Sequence, residues 1–209
     1  MYCLTQELLG EASVLAQLSP QKLSGMGLSD WEGYASHLRE KFDYKNTYYH
    51  QEPRLDICNP DGQWINSSDF LISTDVFEHV LPPHRKAFEG SFSVLKPGGL
   101  IVMTAPYGGN KDTIEHYPDL VDFATVKIGD QYIVVVKSED GSYYIDDKPV
   151  FHGGPGTTLE MRVFSYSDIV DQLKAAGFVD IKLHNEPVAR WGIFPPHHHG
   201  LPITARKPR

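Results

Sequence analysis

Groups able to move protons concentrate in two stretches of the 209-residue chain: Glu78-His79, and residues 152–162, where His152, Glu160 and Arg162 enclose Gly153, Gly154 and Gly156. A glutamate beside a histidine can pass a proton. The pair also has a structural reading, in which His79 starts or caps a helix and bonds nearby backbone, because imidazole both donates and accepts. That reading carries the greater weight. Residues 152–162 read equally as a substrate wall or as a hinge, since loops at the carboxyl ends of strands are where α/β sheets bind ligands. His197, His198 and His199 are consecutive, so their imidazoles do not converge easily on one ion, and no carboxylate or cysteine stands at a metal-binding spacing from them. A solvated loop is expected there, and no metal. Cys3 and Cys58 are too few for a disulfide framework or a cysteine zinc site. No H-E-x-x-H, G-x-S-x-G or G-K-[ST] pattern occurs, which removes the usual hydrolase and nucleotidase readings.

The run Gly25-Met26-Gly27-Leu28-Ser29-Asp30 falls between a predicted strand and a predicted helix. Glycines there let backbone approach a ligand, and the helix start offers N–H groups to an anion. A tight turn without a ligand is an equal reading. The run lacks the third glycine of the dinucleotide fingerprint, which disfavours a nicotinamide oxidoreductase.

The elements that must position these groups follow from periodicity. Leu4, Leu8, Leu9, Ala12, Leu15 and Leu18 predict a helix over 4–18, ended by Ser19-Pro20. A short strand over 22–28 leads to a helix over 31–42, with Asp30 placed to cap it. Strands are predicted over 46–49 and 54–57, the latter closed by the turn cluster Asn59-Pro60-Asp61-Gly62. Residues 69–73 form a nearly continuous apolar run of the kind covered on both faces, hence a mid-sheet strand. A helix over 83–95, stopped by Lys96-Pro97-Gly98-Gly99, precedes a buried strand over 100–104. This β-α-β alternation predicts a right-handed parallel sheet. Three antiparallel strands over 124–128, 132–137 and 143–145, joined by Gly129-Asp130 and Asp140-Gly141, mark a β-rich insertion at about 107–163. A helix over 167–176, a strand over 179–184 and a last strand over 201–205 close the pattern, and no linker separates a second domain.

Composition narrows the partners. A formal net charge of −8 disfavours neutralising a phosphate backbone, so a small molecule is expected rather than nucleic acid. No apolar run approaches the ~20 residues of a membrane span. The first residues carry Glu7 and Glu11 without a basic leader, so no secretion signal and a cytoplasmic location are expected.

Three segments then carry a specific likeness. D-x-L-I-S at 69–73, E-H-V at 78–80 and L-K-P-G-G at 95–99, followed by a strand ending in Ala105-Pro106, resemble the central half of the class I, Rossmann-like S-adenosylmethionine-dependent methyltransferases that act on small molecules, in the branch where E-H follows the fourth strand. Residues 164–178, with Phe164-Ser165 and Ala176-Gly177-Phe178, are similar to the family's last helix and strand entrance. The resemblance implies a doubly wound, mostly parallel seven-stranded sheet with an antiparallel last strand.

It also implies S-adenosylmethionine as cofactor. Gly25 and Gly27 would pass under its methionine part, with Asp30 ending that motif, and Thr74 and Asp75 would line the opposite wall with His79 beyond them. The ribose position, usually acidic, falls on His50 with Glu52 close behind. Asp56 and Ile57 match the adenine positions. Methyl transfer to a hydroxyl of a sugar or another metabolite is the implied reaction, with His152, His116 or Tyr107 as candidate base. A non-catalytic binding or scaffolding module of the same fold is the alternative. Ser73-Thr74-Asp75-Val76 lacks the Asn/Asp-Pro-Pro-Tyr platform that methylation of exocyclic base nitrogens uses.

Overall fold

The computed structural model describes residues 1–194 and 200–209; His197, His198 and His199 lie outside the described residues. The chain begins with α1 (Tyr2–Leu9), β1 (Ser24–Leu28), α2 (Glu32–Lys41), β2 (Asp43–Thr47) and β3 (Ser68–Thr74). It continues through α3 (Arg85–Val94) and β4 (Leu95–Thr104). The segment between β4 and the next helix, called the insertion below, contains β5 (Tyr107–Gly108), β6 (Ile114–Glu115), β7 (Leu120–Ile128), β8 (Gln131–Ser138), β9 (Tyr143–Asp146), β10 (Phe151–His152), β11 (Thr158–Leu159) and β12 (Arg162–Ser165). The last elements are α4 (Tyr166–Ala175), β13 (Val179–Leu183) and β14 (Ile203–Arg206).

The main sheet has the order β13-β14-β4-β3-β1-β2. Strands β2, β1, β3 and β4 run parallel, and β14 runs antiparallel to both β4 and β13. Apolar faces explain why it is covered on both sides. Leu71, Ile101 and Met103 pack with Ala87 and Phe88 of α3 and Ile169 and Leu173 of α4. Phe70, Ile72, Leu100 and Val102 pack with Leu4 of α1 and Ala35 and Leu38 of α2. Adjacent residues on β3 and β4 thus serve opposite cores, as the period of two requires. A third core, with Tyr117, Leu120, Val134, Val136, Leu159 and Met161, belongs to the insertion.

Several sequence expectations are corrected. Six strands, not seven, form the main sheet among the described residues, because 54–57 makes only an isolated bridge between Tyr48 and Arg54. The first helix stops at Leu9 rather than running to Leu18: Gly10 takes φ 79°, its N–H donates to the Gln6 carbonyl, and only a short turn at Leu15–Gln17 continues the helical rhythm. Asp30 does not cap α2; the position before that helix is Trp31, without a side-chain cap, and the Asp30 carboxylate accepts from two tyrosines instead. Ser165 does cap α4, accepting from the Asp168 N–H. No helix among the described residues is long and apolar enough to cross a membrane.

Candidate functional site

The strand order reverses between β1 and β3, and in such sheets the crevice outside the carboxyl ends at that point is where ligands bind. Two non-glycine residues flank it in the left-handed region: Ser29 after β1 at φ 55° and Asp75 after β3 at φ 53°. Such conformations cost on the order of 1 kcal/mol or more and persist where surrounding bonds fix them. Here the Ser29 N–H donates to the Thr47 carbonyl at 2.7 Å, the Asp75 N–H to the Thr104 carbonyl at 3.1 Å, and the Thr104 hydroxyl to Asp75 Oδ1 at 3.0 Å.

Beneath the crevice Asp30 is buried, 4% exposed. Its carboxylate accepts from the Tyr34 hydroxyl at 2.6 Å and from the Tyr44 hydroxyl, and Thr74 closes the group by bonding Tyr34 at 3.0 Å. Asn46 brackets the Asp30 backbone from both sides at 2.8 Å. Burial pushes the Asp30 carboxyl up to about 6, against the tyrosine and threonine hydrogen bonds that favour its ionised form.

Gly25 and Gly27 lie inside β1, not in a turn, which corrects the glycine-loop expectation. A Cβ on Gly25 would sit 2.1 Å from the Phe70 ring, and one on Gly27 would sit 1.9 Å from the Tyr44 hydroxyl and 2.2 Å from the Asp30 carboxylate. The turn itself is Ser29-Asp30-Trp31. His50 and Glu52 stand exposed on the segment after β2, with Glu52 accepting from the Arg54 N–H at 3.0 Å. Asp56 is half-buried and accepts from the Cys58 N–H at 2.9 Å, while Ile57 is buried in the core shared with α3. Tyr107 is buried as well, its hydroxyl accepting from the Leu201 N–H at 3.1 Å, and burial raises its phenol.

The insertion folds its return segment over the turn after β3. The Met161 N–H donates to the Glu78 carbonyl and Arg162 Nη1 donates to the Phe77 carbonyl, both at 2.8 Å. Arg162, fully buried, also pairs through Nε with Glu115 Oε1 at 2.7 Å; His84 reaches the same oxygen at 3.1 Å and Asp168 at 3.3 Å. Burial pushes the Glu115 carboxyl up, but the bonds from His84 and Arg162 outweigh it and hold the group below its ordinary range. This network fixes the insertion to the core.

That clamp brings Glu78, His79, His152, Glu160 and His116 together. His79 Nδ1 lies 2.8 Å from the Leu159 carbonyl, and its Nε2 lies 3.6 Å from Glu78 Oε1. His152 Nε2 lies 2.7 Å from Glu160 Oε2, and its Nδ1 lies 3.7 Å from Glu78 Oε1. Glu160 Oε1 lies 3.0 Å from His116 Nε2. The Glu78 side chain is 0% exposed and neither of its oxygens has a hydrogen-bond partner. Burial pushes its carboxyl up to about 8 and, at His79, lowers the imidazole. One ligand atom each from Glu78, His79 and His152 falls within 4.8 Å of the others. A groove of about 330 Å³ lined by His116, Tyr117, Tyr144 and Asp146 opens beside His116.

Two of the three candidate bases, His152 and His116, therefore meet on Glu160, while Tyr107 is tied to Leu201 in the core. His79 bonds a carbonyl 80 residues away and ends a short turn rather than starting a helix. Glu78 and Glu160 stood out in sequence only within their own stretches, as the partner of His79 and as part of the 152–162 loop; nothing local in sequence links position 78 to positions 152 and 160.

No family model matches the sequence, and no curated protein matches it. Solved structures do. A 1,6-didemethyltoxoflavin N1-methyltransferase of Burkholderia thailandensis, crystallised with 1,6-didemethyltoxoflavin and S-adenosylhomocysteine, is similar over 90% of this chain and 72% of its own, with TM-score 0.52 and 13% identity. An S-adenosylmethionine-dependent methyltransferase from Clostridium acetobutylicum is similar over 89% and 84%, with TM-score 0.52 and 16% identity. A sugar N-methyltransferase from Streptoalloteichus is similar over 90% and 81%, with TM-score 0.52 and 12% identity. The mixed sheet with helices on both faces is the α/β fold of the class I S-adenosylmethionine-dependent methyltransferases.

Proposed function

We propose that this chain is an S-adenosylmethionine-dependent methyltransferase that methylates a hydroxyl of a small molecule, such as a sugar or another hydroxylated metabolite. The observation that carries the acceptor side is the buried, unpartnered Glu78 carboxyl between two histidines, His79 and His152, at the carboxyl edge of the sheet. The fold and its neighbours support the cofactor side.

The donor set in the crevice suits that cofactor. The start of α2 presents N–H groups to a carboxylate. Asp56 suits an exocyclic amine and Asp75 a cationic centre, and the exposed Trp31 and Tyr49 rings offer stacking faces. Thr74 and Asp75 would line the cofactor opposite Ser29, and His50 and Glu52 would serve its ribose. Bound there, the cofactor supplies a methyl carbon on a positively charged sulfur that departs as a neutral thioether. The chain's own task is alignment, which for well-oriented partners is worth ~7–11 kcal/mol.

Methylation of a hydroxyl would require that hydroxyl to give up its proton, which is the part of the reaction left to this chain's own residues. The Glu78, His79 and His152 cluster would hold the acceptor hydroxyl, and the His152–Glu160–His116 chain, which reaches the groove beside His116, would give its proton a way out.

Calorimetry of the purified protein with S-adenosylhomocysteine and S-adenosylmethionine tests the cofactor. Micromolar one-to-one binding is expected, and no heat at millimolar ligand sinks the proposal. A screen of hydroxylated acceptors with methyl-labelled cofactor tests the acceptor. A second reading, a non-catalytic module of the same fold, draws on Gly25 and Gly27 being packed against the chain's own Phe70, Tyr44 and Asp30. It predicts binding without transfer to any acceptor.

A further inference from the structure

We propose that Glu78, His79 and His152 bind a divalent first-row transition metal ion, with Glu160 and His116 orienting His152 from behind, and that this ion receives the acceptor's oxygen. The last part rests on the methyltransferase reading above; the metal site does not.

The hydrogen bonds at the rim of the cluster decide where its lone pairs point. His79 Nδ1 faces a carbonyl, which only accepts, so the proton of that ring sits on Nδ1 and Nε2 carries a lone pair. That lone pair faces Glu78 Oε1 at 3.6 Å. His152 Nε2 faces the Glu160 carboxylate at 2.7 Å, so it too holds its proton away from the cluster, and its Nδ1 lone pair faces the same oxygen at 3.7 Å. Both distances exceed a hydrogen bond. One oxygen and two nitrogens thus converge with neither imidazole turning a proton inward, around a buried Glu78 carboxyl that lacks any hydrogen-bond partner. A buried carboxyl in that state either keeps its own proton or gives it up to a cation that completes the site.

Geometry and chemistry both suit a metal. Bonds of about 2.0–2.2 Å to nitrogen and oxygen place ligand atoms of a tetrahedral site roughly 3.3–3.5 Å apart, so the two spacings to Glu78, 3.6 and 3.7 Å, need to close by only a few tenths of an ångström, while the three atoms together, within 4.8 Å of one another, need a small turn of the His152 ring as well. Two imidazoles favour zinc, iron, cobalt or nickel over magnesium or calcium. The outer bonds have the form metal sites use: ligating histidines give their second N–H to a carboxylate or a backbone carbonyl, here Glu160 and Leu159. Three protein ligands leave a position open, and a hydroxyl placed there would ionise more readily beside the cation.

The test is titration of chelator-treated protein with Zn²⁺ by calorimetry and with Co²⁺ by its visible absorption. It is run on the native sequence and on a background in which His197, His198 and His199 are alanine, so that those imidazoles contribute no ion. One equivalent is expected to bind in both. Glu78→Gln and His152→Ala should abolish stoichiometric binding, and His116→Ala should weaken it about 10- to 100-fold. His79→Asn keeps a donor toward the Leu159 carbonyl while removing the ligating nitrogen, and should also abolish it. Melting temperatures of the metal-free variants confirm that each is folded. The inference is overturned if the background protein takes up no stoichiometric ion, or if Glu78→Gln and His152→Ala bind as the parent does. Calorimetry of the metal-free protein with S-adenosylhomocysteine separates the two readings. Cofactor binding without metal binding overturns the metal site alone, and metal binding without cofactor binding leaves the site standing and removes the methyltransferase.

Discussion

Asp30 shows how one residue can cost stability in order to organise its surroundings. Its carboxyl titrates near 6 in the folded protein against 3.8 for the free group, because burial outweighs three hydroxyl hydrogen bonds. A raised carboxyl is least harmful when protonated, so the penalty is absent below about pH 4, grows as pH rises through 6, and is constant above it, at ~2–3 kcal/mol. Asp30→Asn should therefore match the parent in urea denaturation at pH 4 and exceed its stability by about that amount at pH 7; an equal difference at both pH values would refute this account. Gly27 is the complementary case, since an added methyl meets the Tyr44 hydroxyl and the Asp30 carboxylate. Gly27→Ala should lower stability by ~1–3 kcal/mol or more, measured by denaturant unfolding. In sequence the two glycines near Asp30 looked like a ligand-binding turn. Their real neighbours, Phe70 and Tyr44, lie on β3 and β2, and no local pattern announces such packing.

At the scale of elements, the insertion is anchored by Arg162, whose guanidinium joins Glu115 and the Phe77 carbonyl in full burial. Removing one partner of a buried ion pair typically costs ~3–5 kcal/mol, so Arg162→Ala should unfold at markedly lower denaturant than the parent. Ser165→Ala, which deletes the α4 cap, should cost only ~1 kcal/mol in the same assay. The strands β3, β4, β7, β8 and β9 were legible in sequence because their apolar runs and two-residue turns are local signals. The helix over 4–18 was not, since Gly10 adopts the left-handed cap that ends α1 while the apolar spacing runs on past it. The missing strand at 54–57 has a similar reason: only Arg54 bridges to Tyr48, and Leu55 and Ile57 are buried against the core without a strand partner. Candidate bases were legible as residue types, but their meeting depended on an insertion whose return path crosses the turn after β3.

For the whole molecule, the two faces of the sheet and the insertion have separate cores. The crevice proposed for the cofactor is built by the sheet, and the cluster proposed for the acceptor is shared between the sheet and the insertion. Replacing residues 121–145, the bulk of the β7–β9 sheet, with a short glycine-serine link should leave S-adenosylhomocysteine affinity within a few-fold of the parent. It should abolish methyl transfer, because Leu159 and Met161, which carry the backbone contacts to His79 and Glu78, lose their packing against Val134 and Val136. Parallel calorimetry and label-transfer assays would show the split, and a matched loss of both would contradict it.

Glu78 and His79 stand on the scaffold and His152 on the insertion, so neither part holds all three of the proposed ligands. The two parts behave as the halves of a lock: lengthening or redrawing the outer half would re-aim His152 while leaving the other two where they are. Under the methyltransferase proposal, acceptor choice on this scaffold would drift by changes of loop sequence alone, with the crevice after β1 and β3 left untouched.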